Sequence, residues 1–195
     1  MEKQFFIIIG RSGCGKGTQA ELLKDYLSQK GLSNVIHLST GEGFREFSKG
    51  ENYVATLSRY TNDQGGLQPE FLAVWNWSNI FINKLNEDDS VILDGAPRKV
   101  FEKDILHSAI KFFGFERPKV IYLDVSESWA KERLNERKRH DDTEEDIKNR
   151  MEWFNTEVLP VVSAYRDDER YDFIHVNGEK EMDEVHKEII QSINL

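Results

Sequence analysis

The chain reads Gly10-Arg11-Ser12-Gly13-Cys14-Gly15-Lys16-Gly17-Thr18 directly after an apolar run, Phe5–Ile9. The glycines and the lysine fit the Gly-x-x-x-x-Gly-Lys pattern of a phosphate-binding loop, in the required setting of strand, loop and helix. Such glycines let consecutive backbone N–H groups curve around a phosphate, and the start of the following helix adds a partial positive charge. A plain glycine-rich turn is the alternative, and a dinucleotide fingerprint fits less well because Thr18 stands where a third glycine belongs. The stretch therefore predicts a P-loop fold in which Lys16 reaches the β- and γ-phosphates of a nucleotide.

Strand and helix patterns alternate along the rest of the chain. Short, nearly all-apolar runs predict strands buried on both faces at Phe5–Ile9, Val35–Leu38, Val91–Leu93, Val120–Val125 and Phe173–Val176. Helical periodicity predicts helices over Lys16–Gln29, Pro69–Asn86, Glu102–Phe113, Ser126–Arg139, Thr143–Arg166 and Lys180–Ile193. We expect a three-layer α/β/α fold with a five-stranded parallel sheet. Between the second strand and the next helix, Gly41–Gly66 holds no strand candidate and is predicted to be a helical excursion of the kind that often binds a ligand.

Composition limits the class of protein and its partners. The 195 residues suffice for a single α/β domain, 1–195, and the net charge of −9 disfavours general binding to nucleic acid polymers or anionic membranes. Any anion must therefore be bound locally. The single cysteine excludes an internal disulfide and a cysteine-based zinc site, and the five histidines lack metal-ligand spacing. Because Phe5–Ile9 is too short for a signal or membrane-spanning segment, we expect a cytoplasmic protein, and we expect a monomer.

The phosphate loop departs from the strict motif, because Gly17 separates Lys16 from the hydroxyl group of Thr18. With Gln19 following, the loop resembles the Gly-Lys-Gly-Thr-Gln ending found in the adenylate kinase family of nucleoside monophosphate kinases, although Ser12 replaces the family's proline. Three further segments resemble that family: Leu38-Ser39-Thr40-Gly41-Glu42 with Arg45, Gly65-Gly66-Leu67-Gln68-Pro69, and Leu93-Asp94-Gly95-Ala96-Pro97-Arg98. The resemblance covers nearly the whole chain and implies Mg²⁺-dependent transfer of a phosphoryl group from ATP to a nucleoside monophosphate.

The resemblance also implies a role for individual residues. The residues implied to bind ATP are Gly13, Cys14, Gly15, Lys16, Gly17, Thr18, Arg133 and Lys180. Those implied to bind the acceptor monophosphate are Thr40, Gly41, Arg45, Gly65, Gln68, Gly95, Arg98 and Glu102. Asp94 ends a predicted parallel strand beside the phosphate loop, where a carboxylate can hold Mg²⁺ through its water shell. Without the resemblance, Arg45 would be interpreted as solvated surface and Asp94-Gly95 as a turn.

The segment Glu132–Asp142 resembles the lid of family members in which the lid is reduced to a short loop. By that resemblance Arg133 stacks on the ATP adenine, and the catalytic cations near the transferring phosphoryl group are Lys16, Arg98, Arg137, Arg139 and Arg150. On composition alone, the same segment is a charged and solvated helix and loop. We expect a minimal lid at about 137–142, a helical acceptor-binding insertion at about 40–69, and large movement mainly in the insertion.

The acceptor pocket leaves the adenylate kinase pattern at three positions. Glu102 stands where the family has a glutamine that pairs with adenine, Ala96 replaces a phenylalanine, and Gln68 replaces a valine. An ionised carboxylate only accepts hydrogen bonds, so it cannot donate to adenine N1, whereas guanine and cytosine present donors. We therefore expect a preference shifted from AMP towards GMP, dGMP or CMP. The alternative is that Glu102 points into solvent or pairs with Lys99 or Lys103, and that AMP remains the substrate.

Two other functions are open at this point. A P-loop kinase of a non-nucleotide metabolite would share the loop, but Thr40-Gly41 with paired arginines Arg45 and Arg98 favours a phosphorylated acceptor. An inactive nucleotide-binding regulator would be marked by loss of catalytic arginines, and none is missing from the sequence. Cys14 is interpreted as a small side chain that fills space in the loop. Core or interhelical packing is the favoured role of the four tryptophans, Trp75, Trp77, Trp129 and Trp153.

Overall fold

Five strands form one parallel sheet in the computed structural model of the chain, which describes residues 2–32, 34–137 and 142–194. In chain order they are β1 Phe5–Gly10, β2 Val35–Ser39, β3 Ser90–Asp94, β4 Lys119–Asp124 and β5 Asp172–Asn177. Their order across the sheet is β2-β3-β1-β4-β5, and every neighbouring pair is parallel. The five predicted strands are confirmed, each within one residue at either end.

Helices cover both faces of the sheet and confirm the three-layer fold. They are α1 Lys16–Gln29, α2 Thr40–Phe47, α3 Tyr53–Asp63, α4 Glu70–Lys84, α5 Val100–Phe112, α6 Glu127–Arg137, α7 Glu144–Trp153, α8 Leu159–Arg166 and α9 Met182–Ser192. Phe5 and Ile7 of β1 belong to the core cluster shared with α4, α5 and α8. Phe6 and Ile8 belong to the opposite cluster, shared with α1, α6 and α9. Because side chains alternate along a strand, the continuous apolar run of β1 fills both layers of core at once.

Strand register brings distant parts of the sequence to one edge of the sheet. Ile8 of β1 pairs with Asp94 of β3, and Asp94 also pairs with Ser39 of β2. The phosphate loop after β1, the start of α2 after β2 and the segment after β3 therefore emerge side by side. Ligands of open parallel sheets bind at this carboxyl edge.

The helical excursion predicted between β2 and α4 is confirmed as α2 and α3. Both helices begin at capping residues, since the side chain of Ser39 accepts from the N–H of Glu42 and that of Asn52 from the N–H of Ala55. The two helices are joined by a buried hydrogen bond between the hydroxyl groups of Ser48 and Ser58. This pair of helices is a local unit packed against the end of the sheet.

The helix predicted over Thr143–Arg166 is interrupted by one π-helical turn. α7 passes into a π-helical segment, Phe154–Val158, and then into α8. Pro160 lies at the start of α8 and has no N–H to donate, which explains a local change of hydrogen-bond pattern before it. Within the three described ranges, no helix combines the length and the apolar character needed to cross a bilayer.

Candidate active site

A cleft of about 660 Å³ opens at the carboxyl edge of the sheet, within the size range of small-molecule sites. Most of the site residues expected from the sequence line it: Gly13, Cys14, Gly15, Lys16, Gly17, Thr18, Gly41, Arg45, Gly65, Gln68, Asp94, Gly95, Arg98, Arg133, Arg137, Arg150 and Lys180. Thr40 and Glu102 line a second, smaller cavity instead, and Gln68 lines both. Arg139 lies outside the described residues. The structure thus brings together residues separated by more than a hundred positions in the sequence.

The phosphate loop is folded tightly around the ammonium group of Lys16. Lys16 Nζ donates hydrogen bonds of 2.8 Å to the carbonyl oxygens of both Gly10 and Arg11. Gly13 has a φ of 89°, and a Cβ there would lie 2.6 Å from the carbonyl oxygen of Ala130 in α6. Only glycine fits both the backbone angle and the space at this position. The loop therefore holds a cation against the start of α1, where an anion would find both the charge and free backbone N–H groups.

Cys14 is buried inside the loop. Burial raises the pKa of its thiol, and the nearby Lys16 ammonium only partly opposes that change. A thiol with a raised pKa is a poor nucleophile, because the thiolate is the reactive form. The interpretation of Cys14 as a space-filling side chain agrees with this environment.

Asp94 presents a buried carboxylate to the cleft. Its Oδ1 atom has no hydrogen-bond partner among the described residues, although it is buried. Burial raises the pKa of this carboxyl group, and the opposing influence of Lys16 is the largest of those that lower it. The described part of the chain holds no cluster of three or more potential metal ligands. A single carboxylate fits Mg²⁺, which usually keeps several waters and takes further ligands from substrate phosphates.

The side of the cleft where the acceptor is expected is built around the carbonyl oxygen of Gly95. That oxygen accepts hydrogen bonds of 2.9 Å from Arg98 Nε and from Thr40 Oγ1. A Cβ at Gly95 would lie 2.9 Å from Thr40 Oγ1, so the close approach depends on glycine. Arg45 lies along α2, with its guanidinium nitrogens next to Gly41. The two arginines expected to hold the acceptor phosphate therefore line the same cleft, one of them anchored through its Nε.

Two tryptophans for which packing was the favoured role also line the cleft. The guanidinium carbon of Arg133 lies over the ring of Trp129, 4.9 Å from the ring centroid. The guanidinium carbon of Arg98 lies 5.2 Å from the ring centroid of Trp153. Trp153 also donates from its indole N–H to the carbonyl oxygen of Gly65 at 2.9 Å. The packing interpretation is confirmed for Trp77, which is in the core, and for Trp129 and Trp153, which pack against the two core clusters and line the cleft as well.

Trp75 and Trp153 differ in surroundings although both lie on helices. Trp75 is 42% exposed and contacts the ring of Phe47, with centroids 5.0 Å apart, so it packs between α2 and α4. No sequence pattern separates it from Trp153, whose partners lie on segments remote in the chain. Only the three-dimensional structure distinguishes the tryptophan of the cleft from the tryptophan of the surface.

Arg137 and Arg150 share a buried carboxylate. Asp142 accepts from Arg137 Nε at 2.9 Å and from Arg137 Nη2 at 2.7 Å, and its Oδ1 also accepts from Arg150 Nη1 at 2.8 Å. The side chain of Asp142 is fully buried. A forked pair of this kind fixes the plane of a guanidinium more strictly than a single hydrogen bond does. Arg137 and Arg150 are therefore oriented before any phosphate is bound.

Glu102 is buried at the end of α5 that faces the small cavity. Its side chain is 3% exposed, and its Oε2 accepts from the backbone N–H of Arg98 at 3.1 Å. Burial raises the pKa of its carboxyl group, and the hydrogen bond from Arg98 opposes that change. The alternative in which Glu102 is solvated or paired with a lysine is wrong, because Lys99 pairs with Glu70 and Lys103 with Asp168.

The comparisons with known proteins point in one direction. A family model described as adenylate kinase matches residues 8–170 of the chain. The chain is 31% identical over 186 residues to "Adenylate kinase 1" of Nostoc sp. (strain PCC 7120), with 94% of this chain and 95% of that protein covered. It is 34% identical to "Adenylate kinase" of Corynebacterium urealyticum, covering 82% and 84% of the two chains, and 32% identical to "Adenylate kinase" of Bacteroides fragilis, covering 96% and 97%. With its P-loop, parallel sheet and cationic cleft, the chain belongs to the adenylate kinase family.

Proposed function

We propose that this protein transfers the γ-phosphoryl group of ATP to a nucleoside monophosphate, and that it prefers GMP, dGMP or CMP to AMP. Family membership and the cationic cleft support the phosphoryl transfer. The observation that carries the specificity is the buried carboxylate of Glu102 behind the cleft.

ATP binds across the phosphate loop and α6. Its phosphates take the place of the loop carbonyl oxygens as partners of Lys16, and backbone N–H groups from Gly13 to Thr18 surround them. Its adenine stacks on Arg133, whose other face is covered by Trp129. Lys180 lines the same cleft and is held by Glu188.

Mg²⁺ is the cofactor of the proposed reaction, and Asp94 is the residue that would hold it. The unpartnered and buried Oδ1 of Asp94 supports this role, because a buried carboxylate oxygen without a partner costs stability. Bound Mg²⁺ supplies positive charge that neutralises the phosphate oxygens.

The arginines divide between holding the acceptor and stabilising the transferred group. Arg45 and Arg98 bind the acceptor monophosphate, and Arg137 and Arg150 contact the phosphoryl group as it moves. Phosphoryl transfer needs no covalent intermediate with the enzyme, since positioning and electrostatic stabilisation account for most of the catalysis. Closure of the helical insertion at 40–69 excludes water as a competing acceptor.

The base of the acceptor is read by Glu102. Its Oε2 accepts from the N–H of Arg98, which leaves Oε1 as the oxygen proposed to face the base. An ionised carboxylate beside adenine N1 leaves two acceptors facing each other, which costs about 1–3 kcal/mol when buried. A base edge that presents N–H groups pairs with the same carboxylate instead.

The test is an ADP-release assay with AMP, GMP, dGMP and CMP as acceptors, using the wild type and Glu102→Gln. We expect the wild type to favour the donor-bearing bases, and Glu102→Gln to shift the ratio of AMP to GMP turnover towards AMP by about tenfold or more. Glu116→Gln is the matched control, because it neutralises an exposed carboxylate beyond the other end of α5 that lines neither cavity. An unchanged ratio in Glu102→Gln would show that Glu102 does not read the base. Absence of turnover with every acceptor would favour a nucleotide-binding regulator.

A further inference from the structure

Gln68 has an unusual arrangement of hydrogen bonds for a buried side chain. It is 6% exposed, and its amide nitrogen donates to the carbonyl oxygen of Ser58 and to Oδ1 of Asn62, both at 2.8 Å. Its amide oxygen is buried and has no partner among the described residues. Both donors of the amide are therefore used, while its acceptor is unpaired.

The orientation of the Gln68 amide is fixed by the hydrogen-bond partners of its nitrogen. The carbonyl oxygen of Ser58 can only accept, so the nitrogen of Gln68 must face it and the oxygen must face away. Asn62 takes the matching orientation, because its Oδ1 must accept from the amide nitrogen of Gln68, and its own amide nitrogen then donates to the hydroxyl oxygen of Ser48 at 2.8 Å. A flip of Gln68 would place two oxygens against each other. The unpaired oxygen is thus a permanent feature of the side chain.

The position of Gln68 connects it with Glu102. Gln68 is shared by the main cleft and the small cavity that Glu102 lines, and the two cavities also share Phe44, Gly95 and Arg98. The small cavity measures about 20 Å³, which is room for about one water and not for a base. A base bound in the main cleft can therefore approach the small cavity, and with it Gln68 and Glu102, only with its edge.

We propose that Gln68 is a second base-reading residue, whose Oε1 accepts a hydrogen bond from the 2-amino group of guanine. The proposal rests on the proposed function, in which Glu102 lies opposite N1 of the base. Guanine carries the N1–H and 2-amino donors next to each other, so it satisfies the carboxylate and the amide oxygen together. Cytosine offers one amino group and adenine offers one amino group beside an acceptor, so each leaves one oxygen unpaired. The acceptor is therefore GMP or dGMP.

Two acceptors and two enzymes give a direct test. Inosine monophosphate keeps N1–H and lacks the 2-amino group, so it removes the proposed partner of Gln68 from the substrate side. We expect wild-type kcat/KM to be about tenfold or more lower for inosine monophosphate than for GMP. In Gln68→Met, which keeps the length of the side chain without the amide, GMP should fall to the level of inosine monophosphate. The difference between the two substrates should then nearly vanish, as a double-mutant cycle requires for a direct contact.

Ser48→Ala is the matched control. It removes a hydroxyl from the same hydrogen-bonded chain but lines neither cavity, so it should lower both substrates alike and leave their ratio unchanged. A wild-type enzyme that uses inosine monophosphate as well as GMP would overturn the proposal, and that measurement needs no variant to fold. A Gln68→Met enzyme that retains the full difference would overturn it too.

The outcome is separable from that of the proposed function. If Glu102→Gln shifts the ratio of AMP to GMP while the 2-amino group makes no difference, Glu102 reads the base and Gln68 does not. If neither changes any ratio, both ideas fail.

Discussion

Replacement of Trp153 should weaken acceptor binding and leave ATP binding nearly unchanged. The indole makes two contacts on the acceptor side, a 2.9 Å hydrogen bond to the carbonyl oxygen of Gly65 and a cation–π contact with Arg98 at 5.2 Å. A hydrogen bond of this kind contributes about 1 kcal/mol. The cation–π contact contributes about 0.5–2 kcal/mol.

Two variants separate these contributions. Trp153→Phe removes the N–H and keeps an aromatic ring, so the KM for the acceptor should rise about fivefold. Trp153→Leu removes both contacts, and a loss of about 2 kcal/mol corresponds to an increase of about thirtyfold in that KM. Because the contacts exist in the enzyme before reaction, kcat should change less than KM.

The assay is steady-state kinetics with each substrate varied in turn, alongside thermal unfolding of every variant. Trp75→Leu is the control, since Trp75 packs on Phe47 and does not line the cleft. It should leave both KM values within about twofold of the wild type. If a folded Trp153→Leu changed the KM for ATP as much as that for the acceptor, the assignment of Trp153 to the acceptor side would be refuted.

The remaining predictions concern Lys16 and Glu102. Lys16→Ala should lower kcat by about 100-fold or more in a protein that remains folded, because its ammonium packs in no core; wild-type turnover in this variant would contradict the phosphate-loop assignment. Burial raises the pKa of Glu102, with Arg98 and Lys99 opposing and Glu70 reinforcing the change. As the pH is lowered, a growing protonated fraction of Glu102 gains an O–H that can donate to adenine N1, so AMP use should rise relative to GMP. The phosphate groups of the two acceptors titrate alike, with a second pKa of about 6, and cancel in the ratio. A ratio that is flat with pH in the wild type, or that varies equally in Glu102→Gln, would count against the titration of Glu102.

The sheet could be predicted from the sequence because its signal is local. β1 is apolar at every position from Phe5 to Ile9, and only a strand buried on both faces needs that pattern. The phosphate loop is equally local, since its glycines and Lys16 are neighbours in the chain. Alternation of strands and helices then predicts that the strands run parallel, without knowledge of any side-chain contact.

The contacts that complete the site could not be predicted in this way. Trp153 reaches Gly65 across 88 positions of sequence, and its helical pattern is the same as that of a packing residue. Among the residues that the structure describes, Glu102 has no lysine partner, because the neighbouring lysines form ion pairs with other residues. Lys103, for example, pairs with Asp168, which lies 65 positions away in the sequence. The π-helical turn before Pro160 depends on how the ends of two helices fit the core. In each case the deciding partner lies far along the chain.

The cleft concentrates positive charge in a protein whose net charge is −9, and the structure explains how. Four of the cations that line the cleft are each held by an oxygen: Lys16 by loop carbonyls, Arg98 by the carbonyl of Gly95, and Arg137 and Arg150 by the buried Asp142. These oxygens reduce the mutual repulsion of the cations and orient them before substrates bind, so that little reorganisation is left for the reaction step. The negative field of the remaining surface does not attract nucleotides from a distance, and it is screened within about 8 Å at physiological salt. Nucleotide binding by this protein must therefore depend on short-range contacts inside the cleft, which is where loss of a single arginine or of Lys16 has its full effect.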